Sequence, residues 1–368
     1  MASYSIRAVV LHLSNSVFKG NVVELIDDKI SRLLELRDEL SSGFDLDIGM
    51  VRITLPDTKP GEGSDLAVKL GKIAGEYSNA IISIGGISSR DPRLEEVIES
   101  VVSNGLFASI MLEELNWDEA VKVSEIIHNI SGLDHNYPVN IGVNLLGKHI
   151  VTPYFPLSSS PGHSDLVTVA LTYPNYLTEG YRRGGYRGLV DAVTKAGGMA
   201  EKIALEASSR LNAEYGGVDL SVAPWMSEST LGLVEQVAGT RMPQPGFSWG
   251  IYLVNRALKD AGSNLRLTTG FNEVQLPIAE DLKLKARASE GDLRARDLAR
   301  FAGVCLAGLD LAVVPADVNG VAGLILETGA YARSKDRVLG LRIIPVEGVE
   351  PGDKVYLDRF GETPVIEI

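Results

Sequence analysis

Cysteine is all but missing: Cys305 is the only one in 368 residues. No internal disulfide can form, and the scarcity fits a reducing compartment. Histidine is nearly as rare. His12, His128, His135, His149 and His163 make no H-x-H or H-E-x-x-H pair, the spacings that bring two imidazoles to one metal. Carboxylates are plentiful enough for an oxygen-ligated ion, but no loop carries calcium-site spacing, so no metal is assigned, and the sequence names no cofactor. The shortage also disposes of one tempting motif. GFSWG (246–250) matches G-x-S-x-G, but MPQP before it cannot form a central strand, and no histidine lies downstream of Ser248 to complete a triad. A helix starting near Ser248 is the better expectation.

Long apolar runs are missing too. No stretch reaches the roughly 20 residues needed to cross a bilayer, and MASYSIRAVVLHLSNS at the start has no basic, signal-like opening. A soluble cytoplasmic protein is expected, away from membranes. There is no basic excess: the net charge is −13, which argues against nucleic-acid or anionic-membrane partners. Phosphate-loop and dinucleotide fingerprints are absent as well.

What is present is an ordinary globular balance, 45% apolar and 23% charged. The length exceeds the roughly 250–300 residues of one ordinary core. No Pro/Gly/Ser-rich linker divides it, so a single intertwined α/β unit over 1–368 is expected, with 1–150 and 151–368 as possible sub-lobes. Strand-like and helix-like segments alternate through the first half. SIRAVVLHL (5–13), DIGMVRITL (47–55), NAIISIGG (79–86), LFASIML (106–112) and VNIGVNL (139–145) read as strands. Between them, 21–40, 65–77, 91–102 and 116–130 have helical spacing. The pattern continues with strands at 166–173, 218–224, 309–315, 338–346 and 355–360. Helices are expected at 188–215, 229–239, 248–262, 278–288, 292–307 and 318–331. This alternation implies a largely parallel sheet or barrel with helices outside. Three loops, 152–165, 179–188 and 240–250, mix Gly, Pro, aromatic and polar residues, a composition that often shapes binding sites.

Several stretches could carry chemistry. Gly85 and Gly86 fall between a strand and a helix, where backbone amides with Ser88 could hold an anion; a tight turn that needs glycine explains them equally well. YRRGGYRG (181–188) is the one dense basic patch, and Arg182 could contact an anion there, or the patch is a solvated loop. His163 and Asp165 sit at a loop-to-strand junction, where a general base or a backbone-bonded turn histidine would both fit. Cys305 falls on the stripe Leu298, Phe301 or Ala302, Cys305, Leu309 of a core-facing helix, which favours packing over reactivity.

Taken together, SIRAVVLHLSNS, IGGIS (84–88), EYGGVDLSVAP (214–224), CLAGLDLAVVP (305–315) and LRIIPVEGVEPGDKVYLDRFGETPVIEI (341–368) resemble the domain of unknown function 711 family, also called uncharacterised protein family 0210. The matching positions are Arg7, Ser14, Gly85, Gly86, Ser88, Glu214, Gly216, Asp219, Ser221, Pro224, Cys305, Gly308, Asp310 and Arg342. The resemblance implies an α/β barrel similar to that of the pyruvate formate-lyase-like glycyl-radical enzymes, without their radical machinery. RVLGL (337–341) has a superficial likeness to a radical-bearing glycine segment, but those enzymes also need a cysteine, often an adjacent pair, and only Cys305 exists. The chain departs from bacterial members at LSSSPG, PQPGFSWG and FASIMLEE.

Asp219 and Ser221 alternate with Val218, Leu220 and Val222, so their side chains share one strand face. The reading is an enzyme acting on a small anionic metabolite by acid–base and electrostatic catalysis. Asp219 would be acid/base or anchor and Ser221 its partner. Arg7, Arg52 and Arg182 would contact the anion, and Gly85, Gly86 and Ser88 would form an amide nest. Pairing of Asp219 with Arg7 or Arg52 is the structural alternative. The functional alternative is a metabolite-binding regulator or oligomeric scaffold, and a homo-oligomer is expected.

Overall fold

A computed structural model describes residues 3–304 and 308–368; Cys305 and its packing lie outside the described residues. The strands of the first half are β1 (Ser5–His12), β2 (Ile48–Thr54), β3 (Ala80–Ser88), β4 (Phe107–Met111) and β5 (Ile141–Asn144). Helices α1 (Val22–Phe44), α2 (Gly63–Glu76), α3 (Leu94–Ser103) and α4 (Trp117–Leu133) connect them. The second half contains β6 (Leu166–Thr172), α5 (Pro174–Leu211), β7 (Glu214–Asp219), α6 (Thr230–Ala238) and α7 (Phe247–Gly262). It continues through α8 (Leu282–Ser289), α9 (Ala295–Phe301), β8 (Leu309–Pro315), α10 (Val318–Lys335) and β9 (Gly340–Val346), and ends in the hairpin β10 (Lys354–Leu357) and β11 (Gly361–Pro364).

Local chemistry accounts for these elements. In α1 the buried positions Ile26, Ile30, Leu33, Leu36 and Leu40 recur at helical spacing, and the Asn21 side chain accepts a bond from the Val23 amide at the free start. Asp45 ends the helix with φ +50°, a conformation that short polar side chains tolerate. No helix among the described residues is long and apolar enough to cross a membrane.

Nine strands form one sheet in the order β7-β6-β1-β2-β3-β4-β5-β9-β8. β1 to β5 run parallel, as their connecting helices require. The sheet turns antiparallel only at β1/β6 and β5/β9. The edge strands are β7 and β8, and the segment 267–281 reaches both by isolated pairs. Val218 pairs with Thr268, Val222 with Val274, and Pro277 with Asp310. Along β1, Val9 and Leu11 pack under the helices, while Ala8 and Val10 face the other side with Phe107 and Phe155.

Several expectations are corrected. Gly85 and Gly86 lie within β3, at an irregularity in its register, rather than in a turn after it. The stretch 179–188 is helical, part of α5, with a kink at Gly184 and Gly185. The two helices expected at 278–288 and 292–307 are shorter: α8 and α9 occupy 282–289 and 295–301. The stretch 152–165 is a surface loop only in part, since 152–160 is buried throughout. It enters the sheet's inner side beyond the carboxyl end of β5. There His12 contacts the Ser159 carbonyl at 2.9 Å and the Thr168 hydroxyl at 2.8 Å, and Thr54 and Ser158 share a hydroxyl–hydroxyl bond of 2.6 Å. Buried polar groups need partners, and here the chain's own loop supplies them.

Candidate functional site

Where β1 and β2 begin and β6 ends, the inner side of the sheet encloses a cavity of about 330 Å³. This is at the small end of the range for ligand pockets. The alternation of β2 brings Met50 and Arg52 inward while Val51 and Ile53 pack outward. Arg7 enters from β1, Asp310 from β8, Arg342 from β9, Glu280 and Gln275 from the bridging segment, and Arg359 from the terminal hairpin.

These charges fall into two sets. Arg342 donates from Nε to Asp310 Oδ1 at 2.6 Å and from Nη2 to Oδ2 at 3.0 Å. Its Nη2 lies 3.5 Å from Glu280, whose other oxygen is paired with Arg7. The two cations and two anions form a neutral chain. Arg52 and Arg359 stand outside it, with no carboxylate within ion-pair distance among the described residues. Arg52 gives Nη1 to the Pro153 carbonyl at 2.7 Å, yet its buried Nε has no partner. Its guanidinium lies 5.2 Å from the Phe155 ring centre, and that of Arg359 lies 5.5 Å from Phe107 and 5.8 Å from Phe360. A third lining carboxylate, Asp47, is exposed at the rim.

Burial, with Arg7 and Arg359 nearby, pushes Arg52 down to about 9, which leaves it charged at neutral pH. Burial works against the Glu280 anion, but Arg7 and Arg342 overcome it and hold the carboxyl below its usual value. Asp310 is pushed up by burial, against the pull of Arg342. Tyr154 lines the cavity with its phenol raised by burial, and it donates to the Ser221 carbonyl at 3.2 Å.

Arg7 and Arg52 therefore share the cavity, but the other expected site residues do not. Asp219 lies behind its wall, fully buried. Its Oδ1 accepts from the Ser221 amide at 2.9 Å, the Ser221 hydroxyl at 2.6 Å and the Asn272 amide at 3.0 Å. Its Oδ2 accepts from the Phe271 amide at 2.9 Å and the Thr152 hydroxyl at 3.1 Å. Burial raises this carboxyl, opposed by those donors. Pairing with Arg7 or Arg52 does not occur.

The amides of Gly85 and Gly86 donate to the Ser83 hydroxyl and to Asp57, each at 3.2 Å, and Ser88 bonds Glu113 at 2.8 Å. The would-be anion nest thus already faces a carboxylate. Arg182 is exposed on α5, 3.5 Å from Gln236, beside a separate shallow pocket. Asp165 bonds the Ser14 amide at 2.8 Å and Lys29 at 2.9 Å, and His163 is exposed.

The lining residues Tyr154 and Gln275 escape sequence reasoning because they come from irregular segments with no periodic signal, and Glu280 and Arg359 because reading their stretches as a helix and a strand says nothing of the distant elements they face. Asp310 and Arg342 stand among the family-matching positions, and the alternation in LRIIP was the available hint that Arg342 shares a face with its strand neighbours two residues away.

The family model described as "Uncharacterised ACR (DUF711)" matches residues 73–358. A UPF0210 protein of Pyrobaculum arsenaticum is 28% identical over 418 aligned residues, covering 98% of this chain and 90% of that protein. A UPF0210 protein of Pyrobaculum islandicum is 31% identical, covering 55% of this chain and 48% of the relative. The UPF0210 protein MK1214 of Methanopyrus kandleri is 32% identical over 46% of this chain and 39% of its own. The match extends from within α2 to the terminal hairpin and takes in most of the cavity wall, and on that ground the chain belongs to the DUF711 family.

Proposed function

We propose that the cavity takes up a compact organic anion and that the protein is an enzyme acting on it by electrostatic and acid–base catalysis in the cytoplasm. One observation carries the reading: two of the four lining arginines, Arg52 and Arg359, lack a carboxylate partner among the described residues. Arg359 is exposed, but Arg52 is buried; an unpaired buried cation is costly, and an anionic ligand would neutralise it. Read this way, the strands and the bridging segment wrap the cavity as a barrel. Arg52 and Arg359 hold negative charge, and Asp310, raised by burial, exchanges a proton. Asp219 acts indirectly. Five donors meet a carboxylate with about four lone-pair sites, so it positions Thr152, Phe271 and Asn272 instead of touching substrate.

A second reading, binding without turnover, is favoured by the pairing of both buried carboxylates of the cavity with arginines. The test is thermal denaturation of the whole protein with a panel of small carboxylates and phosphates at constant ionic strength. A native-state ligand raises the melting temperature by mass action, and Arg52→Met should abolish the rise. NMR of the bound compound over time separates conversion from binding. If no anion at millimolar concentration shifts the melting temperature, the proposal fails.

A further inference from the structure

Building on that reading, we infer that the cavity selects a carboxylic acid with a ring or other apolar body over a phosphorylated ligand, with Gln275 reading a second polar group. Arg52 is fixed on three counts. Its Nη1 is spent on Pro153, its guanidinium carbon lies over the Phe155 ring at 5.2 Å, and its Nη2 has only the weak Met50 sulfur at 3.5 Å among the described residues. The remaining edge of the guanidinium, Nε and Nη2, is a planar two-donor fork. Such a fork matches the two oxygens of a carboxylate. Its Nε is buried and without a partner, the condition that a ligand oxygen would relieve.

Phosphoryl groups are usually held by helix N-termini or nests of backbone amides. This cavity is walled by strands and aromatic side chains: Phe107, Phe155, Trp225, Phe271 and Phe360. Those rings suit a flat apolar body and offer nothing to a tetrahedral dianion. Gln275 sits on the bridging segment, separated from β2 by β7, β6 and β1 in the sheet order. Its buried Nε2 has no partner among the described residues either. A ligand that spans the cavity with its carboxylate on Arg52 would meet Gln275 with its other end.

The test compares benzoate, 4-hydroxybenzoate, phenyl phosphate and inorganic phosphate by isothermal titration calorimetry on the full chain. Benzoate and phenyl phosphate share one body and differ only in the head group. We expect benzoate to bind at least tenfold tighter than phenyl phosphate, and 4-hydroxybenzoate tighter still. Arg52→Lys, which keeps the charge but removes the fork, should weaken benzoate at least tenfold. Gln275→Leu should leave benzoate within about twofold and erase the preference for 4-hydroxybenzoate. Should Arg52→Lys fail to fold, Arg359→Lys at the exposed mouth serves in its place, with a smaller loss expected. Phenyl phosphate binding as tightly as benzoate would overturn the carboxylate selection while leaving the anion reading intact. If none of the four binds, the selection fails, and the broader carboxylate and phosphate panel then decides the anion reading on its own.

Discussion

Asp310 and Arg342 are direct cross-strand partners in the parallel pair β8/β9, and their side chains are joined by two nearly parallel bonds of 2.6 and 3.0 Å. Register alone brings the two together, and the same register places Arg342 within 3.5 Å of Glu280. Removing one member leaves a charge without its best partner in a largely dry place. Arg342→Met should cost about 3–5 kcal/mol, the usual penalty for breaking a buried pair from one side. Urea unfolding measures it, and a loss under about 1 kcal/mol would mean that the pair is far better solvated than its burial suggests.

His12 should make stability fall with acid. It is fully buried, and burial pushes its pKa down to about 4, partly offset by its contact with the Ser159 carbonyl. The unfolded chain titrates near the ordinary value of about 6.5. A lowered histidine binds its proton more readily when unfolded. The stabilisation is therefore complete above about pH 6.5 and is lost as the pH falls towards 4, amounting to about 3 kcal/mol. His12→Gln should flatten the pH dependence of the unfolding free energy across this window.

Asp219 and Gly270 should prove interdependent. Gly270 has φ +70°, and a methyl group there would lie 2.1 Å from Asp219 Oδ2. Gly270→Ala should destabilise by about 2 kcal/mol or more, through both strain and collision. Asp219→Asn replaces an acceptor oxygen by a donor that faces donors. It should cost about 2–4 kcal/mol and raise amide exchange at Phe271 and Asn272, whose N–H groups the carboxylate now holds. Unchanged protection at those two amides would defeat the positioning role.

Thr54 and Ser158 offer a cleaner pairwise test. Each is fully buried, and they meet at 2.6 Å. Thr54→Val or Ser158→Ala alone strands a hydroxyl and should cost about 1–2 kcal/mol. The double variant should cost clearly less than the sum. Strict additivity would mean that another group takes over the bond.

Much of the fold is visible in the sequence. The alternation in the first half places all five strands and four helices, since each strand run is apolar and each helix carries a stripe that must face the sheet. The misplaced pieces have specific causes. Gly184 and Gly185 look like a loop, but they only kink α5, because packing on both sides of the break holds the helix together. The stretch 152–160 has a loop's composition and a core's burial, because its serines and threonine find partners on strand interiors that are distant in sequence. At the site, Arg7 and Arg52 were legible as arginines on strands. Their division into a paired and an unpaired cation was not, since it depends on Glu280, 273 residues from Arg7.

The buried run 152–160 also makes the two ends of the sheet unlike. It closes off the end of the sheet where β1 and β2 finish, through His12 with Ser159 and Thr54 with Ser158, and leaves the cavity at the end where those strands begin, with Arg359 beside Phe107 and Phe360 at its exposed edge. The two cations without carboxylates therefore differ in depth: Arg359 meets solvent, and Arg52 is shut in behind it.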